Sequence, residues 1–304
     1  MNGDAAVPVT PRVDAHHHLW DLTARPQPWL DDPAMDPLRR TFRLDEVVAQ
    51  AATAGIDATV VVQTVPDLTE SEELLDLAAA EPAVVGVVGY VDLSAPDVGD
   101  QLDRLLDRAS GRWLVGVRSL VQQEPDPAWL MRPEVLSGLR ELAKRRLVFD
   151  LLVRPPQLAA AIVAVTEVSE GRFVLDHLGK PEIAAGGWEP WATSLSELAA
   201  RDNVVAKLSG LVTEARWGAW TTSDLAPYVD HALSAFGPDR LMFGSDWPVC
   251  TLAASYGRVL SVAEELTSAL SPHERGAIFG ATAVATYGLT ALADAGAPVP
   301  GWRR

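Results

Sequence analysis

Four of the six histidines in this chain fall in two short clusters. One reads Asp14-Ala15-His16-His17-His18-Leu19-Trp20-Asp21, the other Asp176-His177-Leu178-Gly179-Lys180-Pro181. A third polar stretch, Gly244-Ser245-Asp246-Trp247-Pro248, lies near the end. Imidazoles two residues apart on a strand share a face, so His16 and His18 can reach one divalent ion, with zinc and its neighbours the natural choice. By the same alternation Asp14 is expected on their face and His17 on the other. Three histidines in a row can also be the remnant of a tag. Here they follow Val13-Asp14-Ala15 instead of opening the chain, and they are too few for a usual tag.

A lone histidine at a strand end is often structural, but His177 closes a strand as His18 does. If Leu175 and His177 face inward, His177 reaches the rim of His18 and Asp176 turns toward the helices as a structural residue. Asp246 stands just past the last strand, and Gly244 leaves room beneath it. Its bland reading is an N-cap, although Trp247-Pro248 delays the next helix. Four cations, Arg118, Arg154, Lys180 and Lys207, are expected near the same rim. There they would bind a carboxylate or polyol and stabilise an oxyanion, or else pair with Asp150, Asp176 or Asp246 inside the fold. Gln63 and Thr64 are placed to hydrogen-bond hydroxyls, and Trp20 is grouped with the substrate-binding residues.

The elements that must carry these residues alternate strictly. Apolar runs at 13–18, 58–64, 84–90, 114–120, 148–153, 172–177, 204–208 and 241–244 suit strands buried on both faces. Helical stretches at 44–54, 70–80, 98–109, 133–145, 155–169, 188–201, 224–236 and 252–267 lie between them, with Gly55 as a C-cap and Pro133 in a first turn. Eight such units predict an α/β fold, a (β/α)₈ TIM barrel, with an extra C-terminal helix over 271–289 and a frayed tail from Asp294. A doubly wound sheet is the alternative, but no glycine-rich fingerprint follows the first strand. No linker divides residues 1–304, so one domain is expected, with its core at about 12–290. Barrel closure would set strand eight beside strand one and bring Asp246 to His16 and His18. Insertions at 21–43 and 213–223 follow strands and should sit over the C-terminal face, as working loops or as plugs.

Composition narrows the function. The net charge of −16 opposes phosphate backbones and anionic membranes, and no basic run offsets it. The single cysteine, Cys250, allows no internal disulfide. The first eleven residues lack the pattern of a signal peptide, and no window suits a membrane helix. The expectation is a cytoplasmic protein with a small-molecule partner, neither nucleic acid nor membrane; the oligomeric state is left open.

Together the three motifs resemble the amidohydrolase superfamily, in particular its lactonase branch of L-fucono-, muconolactone-type and pyrone-dicarboxylate lactonases. The similarity runs from Val13 to Leu289. It implies that His16, His18 and Asp246 frame the reaction centre, that Asp246 activates a water, and that His177 polarises the substrate or adds a fourth metal ligand. Many members bridge two metals with a fourth-strand lysine or glutamate. Here that strand offers Arg118, so zero or one zinc-like ion is expected; the branch varies in needing a metal at all. The reaction implied is hydrolysis of a lactone, in particular of a sugar acid. A metal-dependent decarboxylase of an aromatic or muconate-type acid is the alternative, but such enzymes add a fifth-strand histidine that this chain lacks. A non-catalytic barrel that binds a sugar acid is the reading from another class. No nucleophile elbow is present to support a serine hydrolase.

Overall fold

A computed structural model describes residues 11–289 and Leu292. Eight parallel strands follow one another around a single sheet in chain order. They are β1 (Val13–His17), β2 (Ala58–Val62), β3 (Val84–Gly89), β4 (Leu114–Ser119), β5 (Val148–Leu151), β6 (Arg172–Leu175), β7 (Val204–Leu208) and β8 (Leu241–Phe243). The ends of the sheet meet through a parallel bridge between His17 and Trp247 and a hydrogen bond from the His18 amide to the Trp247 carbonyl, 2.6 Å. This is the expected (β/α)₈ barrel. β7 has the bounds read from sequence, and the other seven strands end one or two residues earlier, with His18, Thr64, Asp176 and His177 among the residues that pass from ladder to rim.

The helices α1 (Leu44–Thr53), α2 (Leu68–Ala80), α3 (Val98–Leu106), α4 (Pro133–Lys144), α5 (Leu158–Glu167) and α6 (Trp191–Ala199) follow the first six strands in turn. A single turn, α7 (Leu211–Glu214), precedes α8 (Thr222–Phe236), and α9 (Tyr256–Leu266) follows β8. Strand side chains divide by size. Phe149, Leu151, Phe173, Leu175, Leu241 and Phe243 join the outer core shared with the helices. Val60, Val62, Val115, Val148, Val174, Val205 and Met242 fill the interior. An eight-stranded barrel is wide enough only for side chains, and the slender β-branched ones suit it.

The expected C-terminal helix forms as α10 (Pro272–Gly276), a π turn (Ala277–Ala281) and α11 (Thr282–Tyr287). It seals the barrel floor: Ala283, Val284, Tyr287 and Leu289 belong to the interior cluster. The Tyr287 hydroxyl reaches into that interior to donate to Asp150, 2.9 Å from either carboxylate oxygen. The tail from Asp294 and the opening ten residues lie outside the described residues. Among the described residues no helix is long and apolar enough to cross a membrane.

Candidate active site

Two departures from simple alternation build the site. In β1, Ala15 belongs to the barrel interior, and the next residue, His16, also points inward, 3.3 Å from Asp176 on β6's exit. The pairing register with β2 shifts between Asp14 and His17, which is where the parity changes. Asp14 therefore does not share the face of His16 and His18, as alternation predicted. It faces the helices, accepting from the Tyr256 hydroxyl of α9 (3.1 Å) and the Ser245 amide (2.8 Å). His17 points away from the centre as expected, its Nε2 3.0 Å from the Thr59 hydroxyl.

The second departure is at β6. Val174 is interior and Leu175 is exterior, so alternation sends Asp176 inward, opposite to the expectation for that pair. Asp176 is fully buried among Arg118, Lys207 and His16. Assigning the inward face through His177 turned it outward, whereas the alternative that the cations pair with Asp176 inside the fold holds for Arg118 and Lys207. His177 reaches the site by another route: it, Leu178 and Lys180 take left-handed φ values of 53°, 51° and 52°. The Trp191 indole donates to the Leu178 carbonyl at 2.7 Å and holds this turn. Gly210 permits it, since a Cβ there would stand 2.5 Å from His177 Nδ1. Asp246 also adopts a left-handed φ, 56°. Strain in non-glycine residues costs of order 1–3 kcal/mol each and gathers where function demands a geometry.

The result is a compact centre. Asp246 Oδ1 lies 3.8 Å from His16 Nε2, 3.6 Å from His18 Nε2 and 3.9 Å from His177 Nε2. The two Nε2 atoms of His16 and His18 are 3.1 Å apart. His18 Nδ1 donates to the Val62 carbonyl (2.8 Å), which leaves its Nε2 as a lone-pair donor toward the centre. His177 Nδ1 contacts the Ser209 hydroxyl at 2.8 Å. Burial lowers the pKa of all three imidazoles, with His177 brought to about 4, so they are neutral at pH 7. Burial alone would raise Asp246, but His177, His18 and His16 outweigh it and hold the carboxyl well below its usual range. Asp246 is thus an ionised acceptor at working pH.

Beneath lies a charged layer. Arg118 Nη1 is 3.2 Å from Asp176 and 3.3 Å from His16 Nε2. Lys207 Nζ contacts Asp150 (2.6 Å), Asp176 (3.1 Å) and His16 Nδ1 (3.0 Å). Burial, ahead of the opposing Lys207 charge, raises Asp150; Lys207 and His16 overcome burial at Asp176 and lower it. Among the described residues, Asp150 and Asp176 pair with Lys207 and Arg118, whereas the ion-pair partners of Asp246 are the three neutral histidines alone. One buried negative charge is left over, a condition that favours a bound cation.

The donors suit such an ion. Ligands ~2.0–2.1 Å from a tetrahedral zinc stand ~3.3 Å from one another. The 3.1, 3.6 and 3.8 Å spacings of His16, His18 and Asp246 need little adjustment to match, and these three form one of two candidate metal groups among the described residues. The fifth strand supplies Asp150, bound to Lys207 and Tyr287, and no histidine.

A cavity of about 380 Å³ opens above the centre. His18, His177, Asp246, Arg118, Arg154 and Lys180 line it, as the sequence suggested, with Thr64. Lys180 is paired with Glu214 at 3.3 Å. Three expected substrate contacts are not in its wall. Lys207 is fully buried below His16, neutralising carboxylates. Gln63 is buried with its side-chain amide on the Arg118 carbonyl, 2.9 Å, and its own carbonyl accepts from the Arg118 guanidinium. Trp20 packs edge-on to Trp29 and Phe42 and borders a separate hollow against α2.

Sequence reasoning did not single out the remaining wall, Trp29, Met35, Leu120, Gln122, Gln123, Leu152 and Val249. The first two come from the insertion at 21–43, whose place after β1 was the available signal. The insertion is pinned by a hydrogen-bond chain that runs inward: Trp29 Nε1 donates to Gln27, Gln27 to Thr64 (2.8 and 2.9 Å), and Thr64 to Glu70 of α2. The insertion at 213–223 contributes Glu214 through Lys180, while the Trp217 and Trp220 indoles bind nearby carbonyls and line no part of the cavity.

Known proteins share this architecture. The L-fucono-1,5-lactonase of Burkholderia multivorans is 38% identical over 295 residues, covering 93% of this chain and 98% of that one. The L-fucono-1,5-lactonase of Burkholderia ambifaria is 36% identical, covering 92% and 96%. A crystal structure of a Burkholderia multivorans amidohydrolase with bound zinc superimposes with a TM-score of 0.86 at 38% identity, covering 91% of this chain and 99% of that one. The amidohydrolase family profile matches residues 13–289. The chain belongs to the amidohydrolase family.

Proposed function

We propose that this protein hydrolyses the lactone ring of a sugar acid, with Asp246 as the base that activates water. The observation that carries the chemistry is the convergence of Asp246 Oδ1 with the Nε2 atoms of His16, His18 and His177 on a cavity floor. The substrate class is supported by the two lactonase relatives, which align over nearly the whole of both chains. A cavity of about 380 Å³ is at the small end of the ~300–1,000 Å³ range of ligand sites and suits one monosaccharide ring.

Asp246 accepts a proton from a water above it as the water oxygen attacks the lactone carbonyl carbon. Arg118 and Lys180, both in the cavity wall, stabilise the negative charge that develops on the carbonyl oxygen. Neutral His177 is held by Ser209 beside Asp246 and orients the reacting groups. When the ring C–O bond breaks, Asp246 returns its proton to the leaving alkoxide, and no covalent enzyme intermediate forms. Arg154 and Lys180 at the mouth receive the hydroxyls and the carboxylate product. A divalent metal, with zinc the first choice from the zinc-bound relative, would be held by His16, His18 and Asp246. It would supply Lewis acidity at the carbonyl.

A panel of sugar-acid lactones in weak buffer with a pH indicator tests the reading. Hydrolysis releases a proton, because the acid product has a pKa near about 4. Carbon dioxide release from an aromatic or muconate-type acid, with no lactone acidified, would overturn it in favour of a decarboxylase. Tight sugar-acid binding without turnover, unchanged by loss of Asp246, would favour a binding protein.

A further inference from the structure

Two groups of three metal-ligating side chains share His16. One is His16, His18 and Asp246; the other is His16, Asp176 and His177. In the second group His16 Nδ1 and Asp176 Oδ1 are 3.3 Å apart, the spacing of two ligands on one zinc ion, ~3.3 Å. All three residues of the group are buried. The donor set alone would therefore accommodate a second ion beside the first.

A cation already stands against two of its three members, His16 and Asp176. Lys207 Nζ is 3.0 Å from His16 Nδ1 and 3.1 Å from Asp176 Oδ1. It is anchored from below by Asp150 at 2.6 Å, and Asp150 is gripped in turn by Tyr287 from the helix that seals the floor. Asp176 Oδ1 makes no hydrogen bond of good geometry, so the charges of Lys207 and Arg118 hold this carboxylate in place. We propose that Lys207 is a resident cation in the place of a second metal ion, which keeps this centre mononuclear and positions His16. A dication at the second group would meet the ammonium at close range in a medium that screens it poorly. Lys207 is fully buried and lies outside the cavity lining, so its role is to position. The inference rests on reading His16, His18 and Asp246 as a metal group, but metal counting tests it separately from turnover.

The experiment loads full-length protein with zinc, removes loose metal by gel filtration and counts equivalents by elemental analysis. Lys207→Ala should hold one zinc equivalent more than wild type. Adding Asp176→Asn should remove the gained equivalent, and Lys207→Arg, which keeps the charge, should gain none. If the alanine variant does not fold, the double variant Asp150→Asn with Lys207→Met removes both members of the buried pair and is read in the same way. Cobalt substitution adds a signature: a second set of visible d–d bands in Lys207→Ala alone. A folded Lys207→Ala with the wild-type metal count, or a wild type that already holds two equivalents, overturns the proposal. A wild type with no zinc and a Lys207→Ala with one would support the resident cation while removing metal from the reaction proposed above.

Discussion

The main-chain amide of Asp246 donates to the carbonyl of His16 at 2.8 Å. This bond joins the exit of β8 to β1 at the two residues on which the chemistry is placed. The geometry of the acid–histidine pair is thus part of barrel closure. Its backbone component survives changes in either side chain, which makes side-chain substitution informative.

Asp246→Asn keeps shape and the closure bond while removing the proton acceptor. Turnover of a lactone substrate should fall by roughly 10² or more, the usual contribution of a positioned base. Circular dichroism should be unchanged. Near wild-type kcat in this variant would remove Asp246 from the mechanism.

Gly244→Ala tests the packing beneath the site. An added Cβ would stand 2.7 Å from the Cβ of His16 and 3.2 Å from that of Ser209. Overpacking of a closed core costs about 1–3 kcal/mol. The variant should melt several degrees lower and lose turnover, since His16 is the atom group that must yield. An alanine variant with wild-type Tm and kcat would show that the floor is looser than these distances say.

Trp29→Ala tests the insertion as a substrate wall. Trp29 lines the cavity but lies outside the cluster around Asp246. Removing contacts made equally in ground and transition states raises KM and leaves kcat nearly intact. A KM about tenfold higher is expected in steady-state kinetics. A collapse of kcat at unchanged KM would instead assign Trp29 to the chemical step.

Stability should fall as the solution is acidified from pH 7 to 5. Burial lowers His17 to about 3 and His177 to about 4 from an unfolded value of 6.5. Below pH 6.5 the unfolded chain takes protons that the folded chain refuses, so each of these groups costs about 2 kcal/mol by pH 5. Asp14 and Asp150 oppose this: burial raises both to about 6 and also raises Glu70, so they gain protons in the folded state first. The four buried histidines, all lowered by burial, outweigh them. Thermal melts across this range should show the decline, and His17→Gln should make it shallower; a flat or rising wild-type curve would contradict the buried neutral histidines.

How much was legible beforehand differs by residue. The barrel was readable because eight apolar runs and eight amphipathic stretches alternate, and parallel strands buried on both faces need that pattern. His16, His18 and His177 were readable because histidine is rare in this chain and these stand at or near strand ends, and Asp246 because it follows the last strand, which barrel closure sets beside the first. Arg118, Arg154 and Lys180 do reach the cavity. Asp176 was named as a partner for the buried cations, but strand counting turned it outward, since its inward position follows from the parity of Val174 and the left-handed turn at His177 hides that parity. The place of Asp14 was missed for a like reason, the register shift in β1.

What the chain by itself determined is therefore the order of elements and the identities of the reacting groups, because both depend on local pattern. Tertiary structure alone decided which cations meet substrate and which neutralise carboxylates. Lys207 and Arg118 look alike along their strands, yet Lys207 lies under His16 with three buried partners while Arg118 reaches the cavity wall. That depth depends on how eight strands stagger around the axis and on a C-terminal helix that brings Tyr287 up to Asp150. Both are relations between residues more than a hundred positions apart, which no local pattern encodes.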